Sequence, residues 1–393
     1  MARNKKISKK QRRKRKLILF IIEIIILILV AGALFLFSKL DKINTKTLDT
    51  SKVGKSDVSA ETQKTFEGYT TIACFGLDNR EQGVYETGNS DTIMIMNVNN
   101  DTKEVSLMSI YRDTYLNVAG KGEEEKFRKA NSAYAYGGPE QAVTMLNRNL
   151  DLDIDNYVAF DFKAVAEAID ILGGVDINVE TEEERQYLND YVSYTSEYVG
   201  GSNAEVEHTG LQTLNGVQAV SYARIRYTKG DDYKRAERQR RVLTEMIKKA
   251  KKANLSEINE LINTIFPQIS TDLSKKDIIS MASVMIKYDM ANSGGFPYSR
   301  DTFTPSKKLG SVVVACDLES NVIELHKRLF GTEAYQPSET VKEYSEKIVD
   351  ESGYTSDHNA DTRFSDQDDF FGNGTSTQTE SDDTSSNSEG TTE

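Results

Sequence analysis

Residues 157–179 read YVAFDFKAVAEAIDILGGVDINV, and this stretch decides the fold class. Residues 157–162 have the length and apolar character of a strand, whereas residues 163–172 place apolar side chains at helical spacing. The helix pattern ends at Gly173-Gly174, and residues 175–179 return to a strand pattern. A strand, a helix and a second strand in direct succession are typical of an α/β domain.

The same alternation of patterns extends outward from this stretch in both directions. Further strand patterns lie at residues 70–77, 92–98, 104–111, 296–303 and 311–316, and helix patterns at residues 130–150, 214–223, 232–252, 255–266, 274–289 and 319–330. Near-continuous apolar strands interleaved with helices need cover on both faces of their sheet. We therefore predict a three-layer α/β/α domain around a mixed central sheet, with ligand sites at the carboxyl ends of strands.

The first 37 residues predict a transmembrane helix. Residues 17–37 are apolar except for Glu23, and a helix of this length spans about 30 Å, the thickness of a bilayer core. Residues 1–16 contain ten lysines and arginines and no acid, which assigns this basic leader to the cytoplasm. A cleaved signal peptide is the alternative, but its apolar region is usually only about 7–15 residues long. We predict a single-pass cell-membrane protein whose bulk is extracellular.

Composition divides the remainder into three parts. Residues 38–65 are polar and without periodicity, and they predict a stalk. Residues 66–335 contain the strand and helix patterns and predict one large extracellular domain. Residues 336–393 are rich in Ser, Thr, Asp and Glu, and they predict a disordered acidic tail.

Charge and cysteine content exclude several classes of function. Without the ten positive charges of the leader, the whole-chain net charge of −12 becomes −22, which argues against nucleic acid as a partner. No P-loop or G-x-S-x-G motif occurs, and the three histidines lack metal-ligand spacing. Cys74 and Cys316 lie in apolar, strand-like runs, and the sequence leaves open whether they pair or remain as buried thiols.

Two carboxylates at strand ends form the first candidate site. Asp78 follows the strand at residues 70–77, and Asp91 precedes the strand at residues 92–98. If these strands are antiparallel neighbours, the two carboxylates meet at one end of the sheet. Two carboxylates with few other ligands suit Mg²⁺, which keeps several waters and takes phosphate oxygens. The alternative is that each is an ordinary turn carboxylate.

Residues 222–241, YARIRYTKGDDYKRAERQRR, concentrate six arginines in an acidic chain. Arg224 and Arg226 alternate, so in an extended chain they face one side. Arg235, Arg238 and Gln239 share one face of a helix whose predicted N-cap is Asp232. A guanidinium group binds two phosphate oxygens at once, so this spacing favours a phosphate site.

The alternative for this cluster is a solvated basic face that pairs with acidic side chains. We assign Arg240 and Arg241 to such a face, with Glu237 and Glu245 as partners. Arg112, at the end of the strand pattern 104–111, is a further candidate, and its alternative is a simple pair with Asp113.

Taken in register, these motifs resemble the LytR-CpsA-Psr family of bacterial cell-wall proteins. The matching stretches span about residues 68–330 and read IACFGLDNR, GNSDTIMIMNVN, VSLMSIYRDTYL, KANSAYAYGGPEQAV, YVAFDFKAVAEAIDILGGVDINV, LNGVQAVSYARIRYTKGDDYKRAERQR and VVVACDLESNVIELHKRL. The resemblance implies an extracytoplasmic phosphotransferase with an α/β/α fold. Such an enzyme moves a glycopolymer, such as wall teichoic acid or capsular polysaccharide, from undecaprenyl pyrophosphate to N-acetylmuramic acid of peptidoglycan.

The resemblance also assigns roles to individual residues. Asp78 and Asp91 would hold Mg²⁺, with Mn²⁺ as the alternative ion. The pyrophosphate-binding residues would be Arg80, Arg112, Arg224, Arg226, Arg235 and Gln239, and the catalytic residues Asp232, Arg112 and Arg238. Asp232 would activate the acceptor hydroxyl or orient the arginines, although the neighbouring Asp231 is an alternative. Candidate walls of an apolar tunnel for the lipid are Val165, Ile169 and Leu172, whose alternative is plain core.

Two other functions remain open at this point. The same residues would serve a hydrolase that acts on polyprenyl pyrophosphate. A non-enzymatic envelope regulator that binds lipid is the third reading, although a cytoplasmic part of only 16 residues argues against direct gene regulation.

Overall fold

The computed structural model describes residues 44–358, apart from gaps at residues 79–84, 227–230, 275–276, 279–280 and 282–286. The predicted leader and membrane helix lie outside the described residues. Among the described residues, no helix combines the length and hydropathy needed to cross a bilayer.

Strands and helices alternate along the described chain. The strands are β1 (Asn44–Thr45), β2 (Tyr69–Leu77), β3 (Ser90–Asn99), β4 (Glu104–Ile110), β5 (Tyr115–Asn117), β6 (Phe127–Lys129), β7 (Asn156–Asp161), β8 (Val175–Val179), β9 (Gly210–Leu214), β10 (Ile269–Thr271), β11 (Asp289–Phe296), β12 (Arg300–Phe303) and β13 (Val312–Ala315). The helices are α1 (Ala60–Phe66), α2 (Ser132–Leu150), α3 (Phe162–Ile171), α4 (Glu182–Val199), α5 (Gly216–Arg224), α6 (Asp231–Ala250), α7 (Leu255–Thr264), α8 (Leu318–Phe330) and α9 (Glu339–Ser352).

A mixed seven-stranded sheet forms the centre of the domain, in the order β1-β10-β7-β2-β3-β4-β11. Strand β2 pairs antiparallel with β3 and parallel with β7, and β4 pairs antiparallel with β3 and parallel with β11. Alternate residues of β2 face opposite layers: Ala73 and Phe75 pack with α2, α8 and α9, while Ile72 and Cys74 pack towards α6. The predicted mixed α/β sheet with flanking helices is confirmed.

The sheet topology brings four chain segments together at one end of the strands. The carboxyl ends of β2, β4 and β7 lie there together with the start of β3, since Leu77 pairs with both Ser90 and Asp161. A β-bulge follows Gly76, whose neighbour Thr92 leaves no room for a side chain: a Cβ at Gly76 would lie 2.8 Å from the Thr92 Cβ. Asp78 and Asp91 therefore lie at the same end of neighbouring antiparallel strands, as predicted.

The predicted limits of the folded domain are too narrow at both ends. Leu48 and Val53 are buried, and α1 follows them, so much of the predicted stalk at residues 38–65 belongs to the domain. The predicted disordered tail at residues 336–393 begins too early, since α9 buries Val341, Tyr344 and Ile348 in the main core. These three apolar residues are spaced i, i+3 and i+7 among polar residues, which is the pattern of an amphipathic helix. The average composition of residues 336–393 does not reveal such a pattern. Residues 359–393 lie outside the described residues.

Polar contacts fasten this C-terminal segment to the core. The buried carboxylate of Asp151 accepts hydrogen bonds from the Tyr335 hydroxyl (2.6 Å) and from the Ser338 backbone N–H and hydroxyl (both 2.7 Å). The two cysteines are buried free thiols, which answers the question that the sequence left open.

Candidate functional site

A polar pocket of about 180 Å³ opens at the end of the sheet where the carboxyl ends of β2 and β7 meet the start of β3. We call it the arginine pocket, and it is lined by Asp78, Asp91, Phe162, Tyr191, Arg224, Arg226, Arg235 and Gln239. Six of these eight residues are among the predicted metal and pyrophosphate ligands. The structure thus brings together residues that are up to 161 positions apart in the sequence.

The end of α5 and one face of α6 place the arginine side chains at the pocket. Arg224 ends α5, whose start is fixed by a capping box at Asn215, and the chain then becomes extended through Ile225. The predicted extended segment therefore begins one residue later than expected. The Arg224 guanidinium donates to the Thr195 hydroxyl (3.1 Å) and lies 5.1 Å from the Phe162 ring. Arg235 and Gln239 lie on one face of α6, one turn apart.

Asp91 connects the arginines from one side of the pocket. Its Oδ1 accepts a hydrogen bond from Nη1 of Arg112 (2.8 Å), and its Oδ2 lies 3.3 Å from Nη2 of Arg226. Nη2 of Arg235 approaches the Asp91 backbone oxygen at 3.5 Å. Arg112 thus supports the pocket from behind Asp91 and pairs with more than Asp113 alone.

Asp232 occupies the centre of the same arginines. Its carboxylate lies 3.2 Å from Arg235, 3.6 Å from Arg226 and 3.8 Å from Arg112. The side chain of Asp231 is outside the described residues. The prediction that Asp232 is the N-cap of α6 is wrong, because α6 begins at Asp231 and Asp232 lies in the first turn of the helix.

Three polar atoms of this cluster are buried without a hydrogen-bond partner among the described residues. They are Nε of Arg112, Nε of Arg235 and Oδ1 of Asp232. Oδ1 of Asp232 still lies 3.2 Å from Nη2 of Arg235, and Nε of Arg112 lies 3.6 Å from Oδ1 of Asp113, so charge attraction offsets part of the cost of burying these atoms. Arg235 lines the pocket and Arg112 does not, so of these two guanidinium groups only that of Arg235 is placed to meet an anionic ligand.

The buried Arg235 and the partly buried Arg112 both remain cationic at neutral pH. Burial lowers the pKa of Arg235 to about 10, and Asp232 opposes that shift. Burial also acts against the charge of Arg112, but the carboxylates of Asp91, Asp113 and Asp232 outweigh it and raise the pKa of Arg112. The pocket therefore keeps its positive charge in an otherwise acidic protein.

An apolar cavity of about 190 Å³ adjoins the arginine pocket. Its walls come from α3 through Val165, from α6 through Val242 and Met246, and from Ile265 and Ile269 on the far side. Phe162 and Gln239 line both spaces, so the cavity and the pocket meet there. Of the predicted tunnel walls, Val165 lines the cavity. Ile169 instead packs in a neighbouring core cluster, and Leu172 is not among the lining residues.

Two predicted roles for arginines of α6 are corrected by the structure. Nε of Arg238 donates to Oε1 of Glu184 (2.7 Å) in a buried ion pair, so Arg238 links α6 to α4 and does not line the pocket. Arg240 is 4% exposed and donates to the Ser293 hydroxyl, so it does not belong to a solvated face. Arg80 lies outside the described residues.

Sequence reasoning missed the aromatic residues of the site. Phe162 and Tyr191 line the pocket, and Tyr191 comes from α4, a helix that the sequence patterns did not predict. Arg300 was missed as well: it is 2% exposed and lies between the rings of Tyr111 (4.9 Å) and Tyr233 (4.2 Å). Tyr111 directly precedes Arg112, and Tyr233 directly follows Asp232. By packing against both rings, Arg300 supports the positions of these two site residues.

The donor set fits a divalent ion that binds together with a phosphate. Asp78 and Asp91 line the same pocket and offer carboxylate oxygens, the ligands that Mg²⁺ prefers. No group of three or more His, Cys, Asp or Glu side chains with metal-binding geometry occurs in the described part of the chain. An ion here would complete its shell with water and ligand oxygens.

A family model, LytR_cpsA_psr, matches residues 32–293, which is more than half of the 393 residues. The chain belongs to the LytR_cpsA_psr family. A family relative from Enterococcus faecalis (strain ATCC 700802 / V583) is 30% identical over 250 residues, 63% of this chain and 75% of that protein. It is named polyisoprenyl-teichoic acid–peptidoglycan teichoic acid transferase TagU. The TagU of Bacillus subtilis (strain 168) is 29% identical over 235 residues, 58% of this chain and 67% of the relative.

The fold of this LytR_cpsA_psr protein is also found among solved structures. The crystal structure of B. subtilis TagT is similar with a TM-score of 0.53 and 23% identity, covering 72% of this chain and 100% of that one. This likeness supports the α/β fold with its mixed central sheet and flanking helices.

Proposed function

We propose that this protein is a transferase that moves a glycopolymer from undecaprenyl pyrophosphate to peptidoglycan N-acetylmuramic acid at the outer face of the cell membrane. The observation that carries the proposal is the junction of the apolar cavity with the arginine pocket at Phe162 and Gln239. A ligand that fits both must have an apolar chain joined to an anionic group, which is the chemistry of a polyprenyl pyrophosphate.

The names of the relatives support the same reaction class. The E. faecalis and B. subtilis proteins are both named for transfer of teichoic acid between a polyisoprenyl carrier and peptidoglycan. Which glycopolymer this chain carries, teichoic acid or a capsular polysaccharide, is the variable part of the proposal. The predicted membrane helix at residues 17–37 would keep the site near a donor that is itself embedded in the membrane.

The proposed reaction is a phosphoryl transfer. An acceptor hydroxyl oxygen attacks the phosphorus atom next to the first sugar, and a new P–O bond forms. The bridging P–O bond breaks, polyprenyl phosphate leaves, and the acceptor proton is lost to water or to a carboxylate. Negative charge spreads over the phosphoryl oxygens and the leaving oxygen, where fixed guanidinium groups stabilise it. Arg224, Arg226 and Arg235 are the groups that face the pocket.

Asp232 acts mainly through the arginines in this proposal. Three guanidinium groups lie within 3.8 Å of its carboxylate, so it orients them and balances their charge. Asp78 and Asp91 would hold Mg²⁺, or Mn²⁺, and the ion would supply additional positive charge to the phosphate oxygens when bound. Asp91 would then exchange part of its present pairing with Arg112 and Arg226 for the ion.

The test uses the full-length protein in nanodiscs with Mg²⁺, a polyprenyl-pyrophosphate oligosaccharide and a peptidoglycan fragment. We expect a phosphodiester-linked product and a loss of kcat of at least about 100-fold in Arg226→Ala. Arg328→Ala, which removes an arginine on α8 outside the pocket, is the matched control and should leave kcat unchanged.

Three outcomes would contradict the transferase proposal. Release of polyprenyl phosphate without any acceptor-linked product would favour the hydrolase. Lipid binding without turnover would favour the envelope regulator. Equal turnover in Arg226→Ala and the unmodified protein would show that the reaction occurs elsewhere.

A further inference from the structure

Helix α7 carries an apolar stripe along one side. Its members, including the residue that follows the last turn, are Leu255, Ile258, Ile262 and Ile265. At about 100° per residue their directions fall within about 80° of one another, and we call these four residues the α7 stripe. None of them is fully buried by the described part of the chain, and Leu255 is 86% exposed. A helix of a globular domain usually buries such a stripe in its core, so the packing of this domain does not account for the exposure of α7.

The α7 stripe connects solvent with the apolar cavity. Ile265 lines the cavity together with Ile269, the first residue of β10. Leu255 lies ten residues before Ile265, at the other end of a helix about 15 Å long. A capping box fixes this exposed end: the backbone N–H of Asn254 donates to the Glu257 carboxylate (2.8 Å), and that of Glu257 donates to the Asn254 side chain (3.1 Å). Leu255 therefore belongs to a well-formed first turn.

The described chain begins beside the same cavity wall. Asn44 of β1 pairs with Ser270 of β10, which directly follows Ile269. Six residues separate Asn44 from the predicted membrane helix at residues 17–37, and an extended chain of this length reaches at most about 25 Å. The predicted membrane helix would therefore hold a bilayer surface close to the end of α7 that lines the cavity.

The turn that leads into α7 is basic. Residues 248–255 read KKAKKANL, with four lysines and no acid. Three of the lysines form ion pairs: Lys248 with Glu245, Lys249 with Asp176 and Lys251 with Asp289. Lys252 is exposed, three residues before Leu255. An exposed ammonium group beside an exposed leucine suits the layer of a membrane where headgroup phosphates meet acyl chains.

We propose that the α7 stripe docks on the outer surface of a bilayer that contains anionic lipids. Leu255 enters the boundary between headgroups and acyl chains, and Lys252 meets headgroup phosphates. A helix of this kind lies in the plane of the membrane surface, with its apolar side about 5–10 Å deep. The proposal rests on the proposed function in one respect, since docking brings the cavity wall at Ile265 to the layer in which the chain of a lipid donor is embedded.

The test uses fluorescence, because the chain contains no tryptophan and Leu255→Trp adds a single fluorophore. The full-length variant is reconstituted in vesicles of phosphatidylcholine and phosphatidylglycerol, with or without bromine on the acyl chains. Bromine quenches at short range, so the fluorescence of Leu255→Trp should fall about twofold in the brominated vesicles. Ile323→Trp is the matched control: Ile323 is 41% exposed on α8, which packs against the opposite face of the sheet, and its fluorescence should not change.

The role of Lys252 is tested in the Leu255→Trp background. Lys252→Gln should lower the docking equilibrium about 5-fold in vesicles with phosphatidylglycerol and leave it unchanged in phosphatidylcholine alone. Lys327→Gln removes an exposed lysine of α8 and should have no effect in either lipid. An equal effect of Lys252→Gln in both lipids would overturn its contact with anionic headgroups.

The docking proposal and the proposed function fail in different ways. Unquenched Leu255→Trp, or equal quenching in Ile323→Trp, would overturn docking. Glycopolymer transfer in the same vesicles without quenching would overturn docking and leave the proposed function standing. Quenching without transfer would support docking and contradict the proposed function.

Discussion

Asp91 shows how much of the site depends on single residues. It lies between Arg112 and Arg226 and shares Arg226 and Arg112 with Asp232. Two carboxylates thus hold several mutually repelling guanidinium groups in one place before any ligand arrives. Preorganised cations of this kind stabilise charge that develops during a reaction without reorganising at that moment.

Asp272 gives a pH-dependent prediction at the residue scale. Its Oδ1 accepts the Tyr157 backbone N–H (2.7 Å), and burial, with help from Asp155 and Asp277, raises its pKa to about 6. The folded state therefore keeps a proton that the unfolded chain loses near pH 4. Stability falls as pH rises from about 4 to 6, and the penalty persists above pH 6.

Asp272→Asn keeps the acceptor oxygen and removes this penalty. We expect a gain of about 1–2 kcal/mol at pH 8, after solvent screening is allowed for, and a smaller gain at pH 4.5. Urea unfolding at the two pH values measures the difference, with the exposed Asp57→Asn as control. A gain that is the same at both pH values would contradict the assignment.

The ion pair between Glu184 and Arg238 gives a second residue-scale prediction. Both side chains are less than 10% exposed, so removing one partner leaves a buried charge uncompensated. Arg238→Met should lower the free energy of unfolding by about 3–5 kcal/mol, and adding Glu184→Met should restore much of it. Chemical denaturation of the single and double variants provides the cycle. Unchanged stability with lost turnover in Arg238→Met would return Arg238 to the catalytic residues.

At the scale of elements, α9 shows that the domain extends beyond its predicted end. A chain ending at residue 335 loses three buried apolar side chains and the Asp151 contacts, and it should be destabilised by several kcal/mol. A chain ending at residue 358 keeps all of these contacts and serves as the control. Thermal unfolding of both truncated chains in nanodiscs measures the difference. Equal Tm values would show that α9 contributes nothing to stability.

How much of the fold the sequence predicts depends on how continuous the apolar residues of each strand or helix are. The strands β2, β3 and β4 each contain a near-continuous apolar run, so their existence and the meeting of Asp78 with Asp91 were predictable. The helix α4 was not, because its buried positions are few and widely separated among polar and tyrosine residues. Tyr191 was missed with it. Arg238 was misassigned because spacing shows which residues share a helix face but not which partner that face meets.

At the scale of the whole molecule, the joined cavity and pocket predict how affinity depends on the ligand. Inorganic pyrophosphate fills only the arginine pocket, whereas a prenyl chain adds buried apolar area at about 0.8 kcal/mol per CH₂ group. Farnesyl pyrophosphate should therefore bind at least about 100-fold more tightly than pyrophosphate. Isothermal titration of the full-length protein in nanodiscs measures both, and Val165→Asp should remove most of the difference. Equal affinities for the two ligands would show that the cavity does not receive the chain.

The contacts of Asp151 with Tyr335 and Ser338 join positions almost two hundred residues apart. The same domain contains the edge strand β11, which pairs with β4 about 185 residues earlier in the chain. Such distant pairings form slowly, because the chain loses the entropy of closing a long loop before the stabilising contacts form. If the predicted helix at residues 17–37 anchors the chain with its N-terminus in the cytoplasm, this core cannot be completed until residue 352 has crossed the membrane. On that topology the exported chain would stay incompletely folded, with strands exposed, until its last core helix had crossed.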